Sequence, residues 1–407
     1  MVIRSATVKE PSGEEYLSAD EIIARAARFV PMLKARAEQT ERDRRVSPEI
    51  MEMMHDTGIF RLFQPKAFGG FEYGFSTLAK FNFALAKGCG STAWCTCLSA
   101  AHNWIVGLYP LEAQEEVWAD RRSIVAGSYM PVGKCIRRKG GYGLSGSWPF
   151  SSNSDNCDWY IVGGMLPPEG ERNAPVPAWF LIPANEAEIH DTWFSSGLSG
   201  TGSNTIVVAD EIFVPEHRVL TVPQINSGNA PGAALSANPL YRLTFTGSMP
   251  VALATLPLGM ALGAVEDFTA IAQSKTVAQA GGPPVPMNSL PSVQLAIGEA
   301  SATVDAGRAL IMRDLDELEA GLAIGQLPDI PTRIRHRRNH AYVARGAAHA
   351  VNTLFEALGA SGSELSNPIQ RAWRDVNVAV RHISLNWPTV GAMYAQQQLG
   401  LPPKGTF

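Results

Sequence analysis

Apolar residues recur at helical spacing from Ser18 to about Ala119, fall into alternating or short unbroken runs after Arg122, and return to helical spacing from about Pro239. The first stretch predicts helices whose starts are marked. Ser18 with Glu21 forms a capping box, and Ser47 precedes a proline at the first helical position, Pro48. Gly58, Gly69 and Gly70 punctuate helix ends. The middle stretch holds "SIVAGSYM", "GYGLSGSW", "DWYIVGGML", "PAWFLIP" and "TIVVADEIFVP", short runs separated by Gly, Pro, Asn and Asp, and these predict strands. Four long periodic segments follow, near Leu240–Ser274, Ser289–Ala323, Pro331–Leu358 and Glu364–Gln398, and predict a four-helix bundle. The segment "AQAGGPPVPMNSLPS" between the first two reads as a loop. The fold class is α+β, mainly α: a helical domain over residues 1–122, a small β-barrel or sandwich over 123–235 and a helix bundle over 236–407.

With 407 residues, 45% of them hydrophobic, the chain has ample material for a large core. A net charge of −4 gives no general attraction to nucleic acid or an anionic membrane, so small molecules or other protein chains are the expected partners. Five cysteines without a CxxC pair fit a reducing compartment, and Cys95 and Cys97 are expected to pack as small apolar side chains. The apolar run Met249–Val265 contains Pro250 and Pro257 and ends at Glu266 and Asp267, which predicts a buried helix rather than a membrane span. The amino-terminal "MVIRSATVKEPSGEEY" has neither the apolar core of a signal peptide nor the Arg-rich character of a transit peptide, and a cytoplasmic location is expected.

Candidate chemistry is sparse. "GLSGTGS", Gly197–Ser203, is glycine-rich, but its glycines are spaced GxxGxG and a strand follows, so it is not a dinucleotide fingerprint. It reads as a β turn able to offer amides and hydroxyls to a ligand. "RIRHRR", Arg333–Arg338, spreads over every face of a helix and reads as a solvated or subunit-facing surface. His102 and His382 lie in largely apolar helical segments, where either alone fits a hydrogen-bonded core histidine. HExxH, GxSxG and paired carboxylates on one helix face are absent, so metal hydrolysis and acyl transfer have no support and no metal is expected. One stretch stands out, "SGSWPFSSNSDNCDWYIVGG" from Ser145 to Gly164. Small hydroxyl side chains set between aromatic ones suggest a strand end that directs a hydrogen bond at something flat.

The order helix, β, bundle, together with "LSGSWPFSSNSDNCDWYIVGG", "WFSSGLSGTGSNTIVVADEIFVP" and "LGASGSELSNPIQRAWRDVNVAVRH", resembles the acyl-CoA dehydrogenase fold from about Ala19 to Gly400. More narrowly it resembles the flavin-dependent monooxygenases built on that fold, the oxygenase components of two-component hydroxylases such as p-hydroxyphenylacetate hydroxylase. The resemblance implies that the flat object is a flavin. Phe150 takes the place of a tryptophan, Ser152 that of a threonine bonding flavin N5, and Asn153 that of an asparagine. Trp193 precedes the glycine-rich turn, from which Thr201, Gly202 and Ser203 approach the cofactor. Trp94 and His102 match a tryptophan and a histidine lining the substrate pocket, and His382 matches a histidine at the oxygen-bearing face.

The resemblance implies a reduced flavin, FMNH2 or FADH2, that meets dioxygen, forms a C4a-hydroperoxide and hydroxylates a small electron-rich aromatic of phenol or indole type. His102 is then the candidate base, His382 steadies the peroxide, and Ser152 retains the N5 proton. A separate NAD(P)H-dependent flavin reductase and a homotetramer belong to the same expectation. Where many dehydrogenases carry a catalytic glutamate, this chain has His382, Ile383 and Ser384, and Lys275 stands in place of a cofactor-binding arginine. N- or S-oxygenation of a heteroaromatic or amine stays open, as does an acyl-CoA dehydrogenase or oxidase whose base lies elsewhere.

Overall fold

Ser18 and Glu21 close the expected capping box: Ser18 Oγ accepts from the Glu21 N–H at 3.3 Å and Glu21 Oε2 accepts from the Ser18 N–H at 2.7 Å. The computed structural model describes residues 16–168, 170, 174–279 and 281–407, so the amino-terminal stretch read above for a leader lies, up to residue 15, outside the described residues. Helices α1 (Ala19–Asp43), α2 (Pro48–Thr57), α3 (Phe75–Leu85), α4 (Gly90–Val106) and α5 (Leu111–Val117) come first. Ser47 caps α2 ahead of Pro48, and Gly58 ends it at φ +82°. A helix C-terminus readily turns into this left-handed region at glycine.

The strands are β1 (Val125–Arg138), β2 (Gly141–Ser151), β3 (Trp159–Leu166), β4 (Val176–Pro183), β5 (Glu188–His190), β6 (Asn204–Pro215) and β7 (Val219–Thr221). They form one sheet in the order β5-β6-β2-β1-β3-β4-β7, in which the β1–β3 pairing is parallel and the others antiparallel. Its own apolar cluster is built around Leu144, Trp148, Tyr160, Phe180 and Ile206. The β2–β6 register runs out at Ser151↔Asn204, and so sets the next residue of one strand, Ser152, beside the previous residue of the other, Ser203.

After the single-turn α6 (Val222–Ile225) come α7 (Phe245–Ser274), α8 (Pro291–Ala323), α9 (Ile330–Ala357), α10 (Pro368–Ala379) and α11 (Trp387–Gln398). Among the described residues, α7 alone is long and apolar enough to cross a membrane, but 89% of its most apolar window is buried within the protein. It is the central helix of the main core, against which α3, α4, α8 and α9 pack.

Four expectations are corrected. The Gly/Pro-rich loop contains a hairpin, β8 (Thr276–Gln279) with β9 (Gly282–Pro286), because a tight turn closes at Gly281, φ +75°. The first bundle helix begins at Phe245 rather than Leu240, which lies in a 3₁₀ turn, because Thr244 supplies the cap to the Gly247 N–H. The last segment is two helices, not one. Asn386 caps α11, and Pro388 in its first turn excludes continuation from upstream, so the chain kinks at His382–Asn386. The basic run is also not a solvated face: His336 and Arg337 are buried, and Arg333, Arg335 and Arg338 are half-buried.

Candidate active site

The end of β2 leaves the sheet through two left-handed residues, Phe150 at φ +64° and Asn153 at φ +65°. Between them Ser152 turns inward and is 7% exposed. Its hydroxyl stands 2.8 Å from Ser203 Oγ, Ser203 Oγ stands 2.7 Å from Thr201 Oγ1, and Thr201 Oγ1 donates to the Leu198 carbonyl at 2.8 Å. From α4, Trp94 Nε1–H donates to Ser152 Oγ at 3.1 Å. The proton directions follow, since a hydroxyl has one hydrogen and two lone pairs and a carbonyl can only accept. Thr201 spends its hydrogen on Leu198, so Ser203 donates to Thr201 and Ser152 donates to Ser203. Ser152 receives the Trp94 N–H on one lone pair and keeps the other free.

The neighbouring groups brace this chain. Asn153 N–H donates to the Thr201 carbonyl at 2.8 Å and its side-chain amide to Ser99 Oγ at 3.1 Å, while Ser154 Oγ donates to the Gly202 carbonyl at 2.8 Å. Gly202 itself is left-handed at φ +51°. The glycine-rich turn is pressed onto two helices. A Cβ at Gly197 would stand 2.3 Å from the Arg374 carbonyl of α10, and one at Gly200 would stand 2.7 Å from the Thr40 carbonyl of α1. Buried Asp375 accepts the Leu198 N–H at 2.6 Å, and burial pushes its carboxyl up to about 6. Arg374 joins Glu41 and donates to the Ser196 carbonyl at 3.0 Å. Outside this seam Phe150 is 63% exposed and meets half-buried Trp193 edge-on, ring centroids 6.2 Å apart.

The two histidines stand apart, His102 within α4 and His382 beyond the end of α10. His382, at the kink after α10, lies 6.1 Å from the Trp94 ring centroid. His102 is two helical turns beyond Trp94, 2% exposed, with its ring edge-on to Tyr129 at 5.8 Å. Tyr129 stacks on Trp179 at 4.4 Å, and Phe245 closes on both rings. Burial lowers both imidazoles to about 4, for His382 with the Arg337 charge as a second cause, so both are neutral at pH 7. Their backbone contacts set opposite tautomers. His102 Nδ1 faces the Val125 carbonyl at 2.6 Å and must carry the hydrogen, which leaves a lone pair on Nε2. His382 Nδ1 accepts the Ser384 N–H at 3.2 Å, so its hydrogen is on Nε2.

Thus Trp94, Ser152, Asn153, Thr201, Gly202, Ser203 and His382 share one locus, Phe150 and Trp193 form its open aromatic edge, and His102 belongs to an adjoining packed aromatic cluster. Tyr129, Trp179, Phe245 and Asp375 were missed in the sequence. Asp375 had a signal, the Arg-Asp pair beside the glutamate-free position. Tyr129 and Trp179 had none, because they meet only through the β1–β3–β4 strand order. Lys275 donates to Ser361 Oγ at 2.5 Å.

Residues 18–121 match the acyl-CoA dehydrogenase N-terminal domain family and residues 251–387 the acyl-CoA dehydrogenase C-terminal domain family, which defines the class. Over 395 residues, 95% of this chain and 96% of the relative, the sequence is 38% identical to the FADH(2)-dependent resorcinol hydroxylase oxygenase component of a Rhizobium species. The crystal structure of the HsaA monooxygenase from Mycobacterium tuberculosis superposes with a TM-score of 0.88 at 32% identity, covering 96% of this chain and 99% of that one. XiaF from Streptomyces, solved with FADH2 and glycerol, gives a TM-score of 0.88 at 27% identity, covering 96% and 98%. The chain belongs to the oxygenase components of two-component flavin-dependent monooxygenases that share the acyl-CoA dehydrogenase fold.

Proposed function

We propose that this oxygenase component takes up reduced flavin and dioxygen and hydroxylates a small electron-rich aromatic, a phenol or an indole. The free lone pair of Ser152 carries the reading. Reduced flavin has a hydrogen on N5 where oxidised flavin has a lone pair, so an accepting hydroxyl fits the reduced form. Ser152, Ser203, Thr201 and Trp94 are then the polar wall of the ring site, with Phe150 and Trp193 as its apolar edge. Asn153 and Gly202 shape the backbone around it.

When bound, reduced flavin supplies the two electrons that split dioxygen, one atom going to the substrate and the other to water. Ser152 holds the N5 proton in place and its burial keeps water from that atom. A phenol loses its hydroxyl proton as its ring is attacked, and the Nε2 lone pair of His102 accepts it. The packed rings of Tyr129, Trp179 and Phe245 beside His102 give that side of the site an apolar aromatic wall, which suits a flat apolar ring. His382 Nε2–H donates to oxygen from the other side. The resorcinol hydroxylase relative supports a phenol, and its FADH2, like that of XiaF, supports FAD over FMN. A separate NAD(P)H-dependent reductase supplies the flavin, consistent with the missing dinucleotide fingerprint. Self-association to a homotetramer fits a groove of ≈ 870 Å³ between α8 and α9, where the small residues Ala302, Ala306 and Gly346 leave room for a helix of a second copy.

The test is stopped-flow mixing of anaerobic protein and reduced FAD with oxygenated buffer. A long-lived absorbing species distinct from both reduced and oxidised flavin is expected, and its decay should quicken with phenols. Direct return to oxidised flavin, with and without phenols and indoles, would remove the reading.

A further inference from the structure

Of the five basic residues in the run Arg333–Arg338 of α9, four have hydrogen-bond partners. Half-buried Arg333 donates from Nη1 to Thr244 Oγ1 and the Phe407 carbonyl, although its Nε, like that of Arg337, is buried without an acceptor; Arg335 grips Glu317, Arg338 grips Asn339 Oδ1 and lies over Tyr394, and His336 faces Glu317. Arg337 is different. It is 5% exposed, its Nε is buried without a hydrogen-bond acceptor, and among the described residues neither a carboxylate nor any other acceptor is bonded to its guanidinium. The carboxylates of the neighbouring helix α8 that face the basic run are committed: Asp314 to Arg313 and Asn339, Glu317 to Arg335 and His336. Instead the Arg337 charge bears on two imidazoles, His340 and His382, and burial lowers its own pKa to about 10.

A buried charge without a partner is strongly unfavourable unless an anion arrives to meet it. His382, beside Trp94, connects Arg337 to the ring site. Reduced flavin readily loses its N1 proton near neutral pH and then carries a negative charge over N1 and the C2 carbonyl, whereas the oxidised ring is neutral. Resting on the function proposed above, we propose that Arg337 is the counter-cation of the reduced flavin ring, so that the site discriminates the redox state of free flavin by charge as well as by the Ser152 lone pair. An oxygenase supplied by diffusion must choose reduced flavin from a mixture, and this residue gives it the means.

The test uses Arg337→Met, which keeps length without charge, and Arg337→Lys, which keeps charge. Dissociation constants for reduced FAD, by anaerobic titration, and oxidised FAD are measured on the full chain with melting temperatures without flavin. Arg337→Met should weaken reduced FAD at least tenfold and oxidised FAD less than twofold, moving the bound-flavin potential negative by about 30 mV per tenfold. Lysine should restore most of the difference, and the flavin-free methionine variant should melt no lower than wild type. Equal weakening of both redox forms, no weakening, or a lower melting temperature with loss of the oligomer, the sign of a carboxylate from a second copy, would each overturn the assignment. Wild-type protein that binds neither form of flavin would instead fail the oxygenase reading itself.

Discussion

Trp94 and Ser152 are joined by a 3.1 Å hydrogen bond that crosses from the helical domain to the end of strand β2. Because the indole only donates and Ser203 already receives the serine hydrogen, this bond determines which valence of Ser152 faces a ligand. Ser152→Ala leaves Ser203 bonded to Thr201 and orphans one buried indole N–H, a loss of about 1–3 kcal/mol that a protein of this size tolerates. The variant should fold and oxidise reduced flavin, but yield less hydroxylated product and more hydrogen peroxide per dioxygen consumed. Trp94→Phe keeps the hydroxyl and should uncouple less. Wild-type product yield per dioxygen in Ser152→Ala would contradict the role given to the hydroxyl.

His102 tests the substrate class. With its Nδ1 hydrogen committed to the Val125 carbonyl, its Nε2 can act only as an acceptor at neutral pH. His102→Ala should slow phenol hydroxylation by about 10²–10⁴, the usual contribution of a positioned base, and leave the oxidation of bound flavin without substrate unchanged. Amines and sulfides offer a lone pair and need no deprotonation. If the variant hydroxylates phenols at the wild-type rate yet the wild type oxidises such substrates well, N- or S-oxygenation is the better description.

The fold was legible because its signals were local: the Ser18 and Ser47 caps, the Gly58 stop and the change from helical to strand spacing after Arg122 need no tertiary knowledge. The candidate site was suggested only by the family resemblance. Ser152 and Ser203 are 51 residues apart and meet because β2 and β6 pair to their ends. Sequence could not reveal that Arg337 is buried while Arg335 and Arg338 find partners near the surface, since a basic run of six residues has no preferred face until its neighbours pack. The kink at His382 was hidden for a different reason: helical periodicity continues through it, and only Asn386 and Pro388 mark the restart.

Acid should destabilise the protein through its histidines. His102 is held down to about 4 by burial, so between pH 6.5 and 4 the unfolded chain binds a proton that the folded chain does not. Its contribution is complete above pH 6.5 and is lost as pH falls towards 4, by about 3 kcal/mol. His55 and His382, also lowered to about 4 by burial, act in the same direction. Asp375 opposes them: its carboxyl, raised to about 6, makes the folded state less favourable as pH rises from 3.8 to 6. Urea unfolding followed from pH 8 to 5 should therefore show stability falling with acid, with a shallower fall in His102→Gln. Asp375→Asn, which keeps an acceptor for the Leu198 N–H, should be at least as stable as wild type at pH 8. A stability profile that is flat over this range would contradict the burial of neutral imidazoles.

Phe150 provides the last test, because its conformation conflicts with its residue type. A left-handed backbone costs an L-residue roughly 1–2 kcal/mol, and a bulky side chain seldom adopts it unless the surroundings impose it. Here 63% exposure and one edge-on contact with Trp193 supply little compensation. The strain has a geometric result: the β2–β6 register shifts between Trp148 and Ser151, and Ser152 is turned into the protein beside Ser203. An exposed aromatic ring retained at a strained position is explained if a flat ligand covers it. Phe150→Asn accepts the left-handed region readily and removes the ring. Without flavin it should melt at or above the wild-type temperature, while reduced-flavin affinity falls about tenfold, the loss expected for roughly 1.4 kcal/mol of stacking. A destabilised variant with unchanged flavin affinity would assign the phenylalanine to folding and remove it from the cofactor edge.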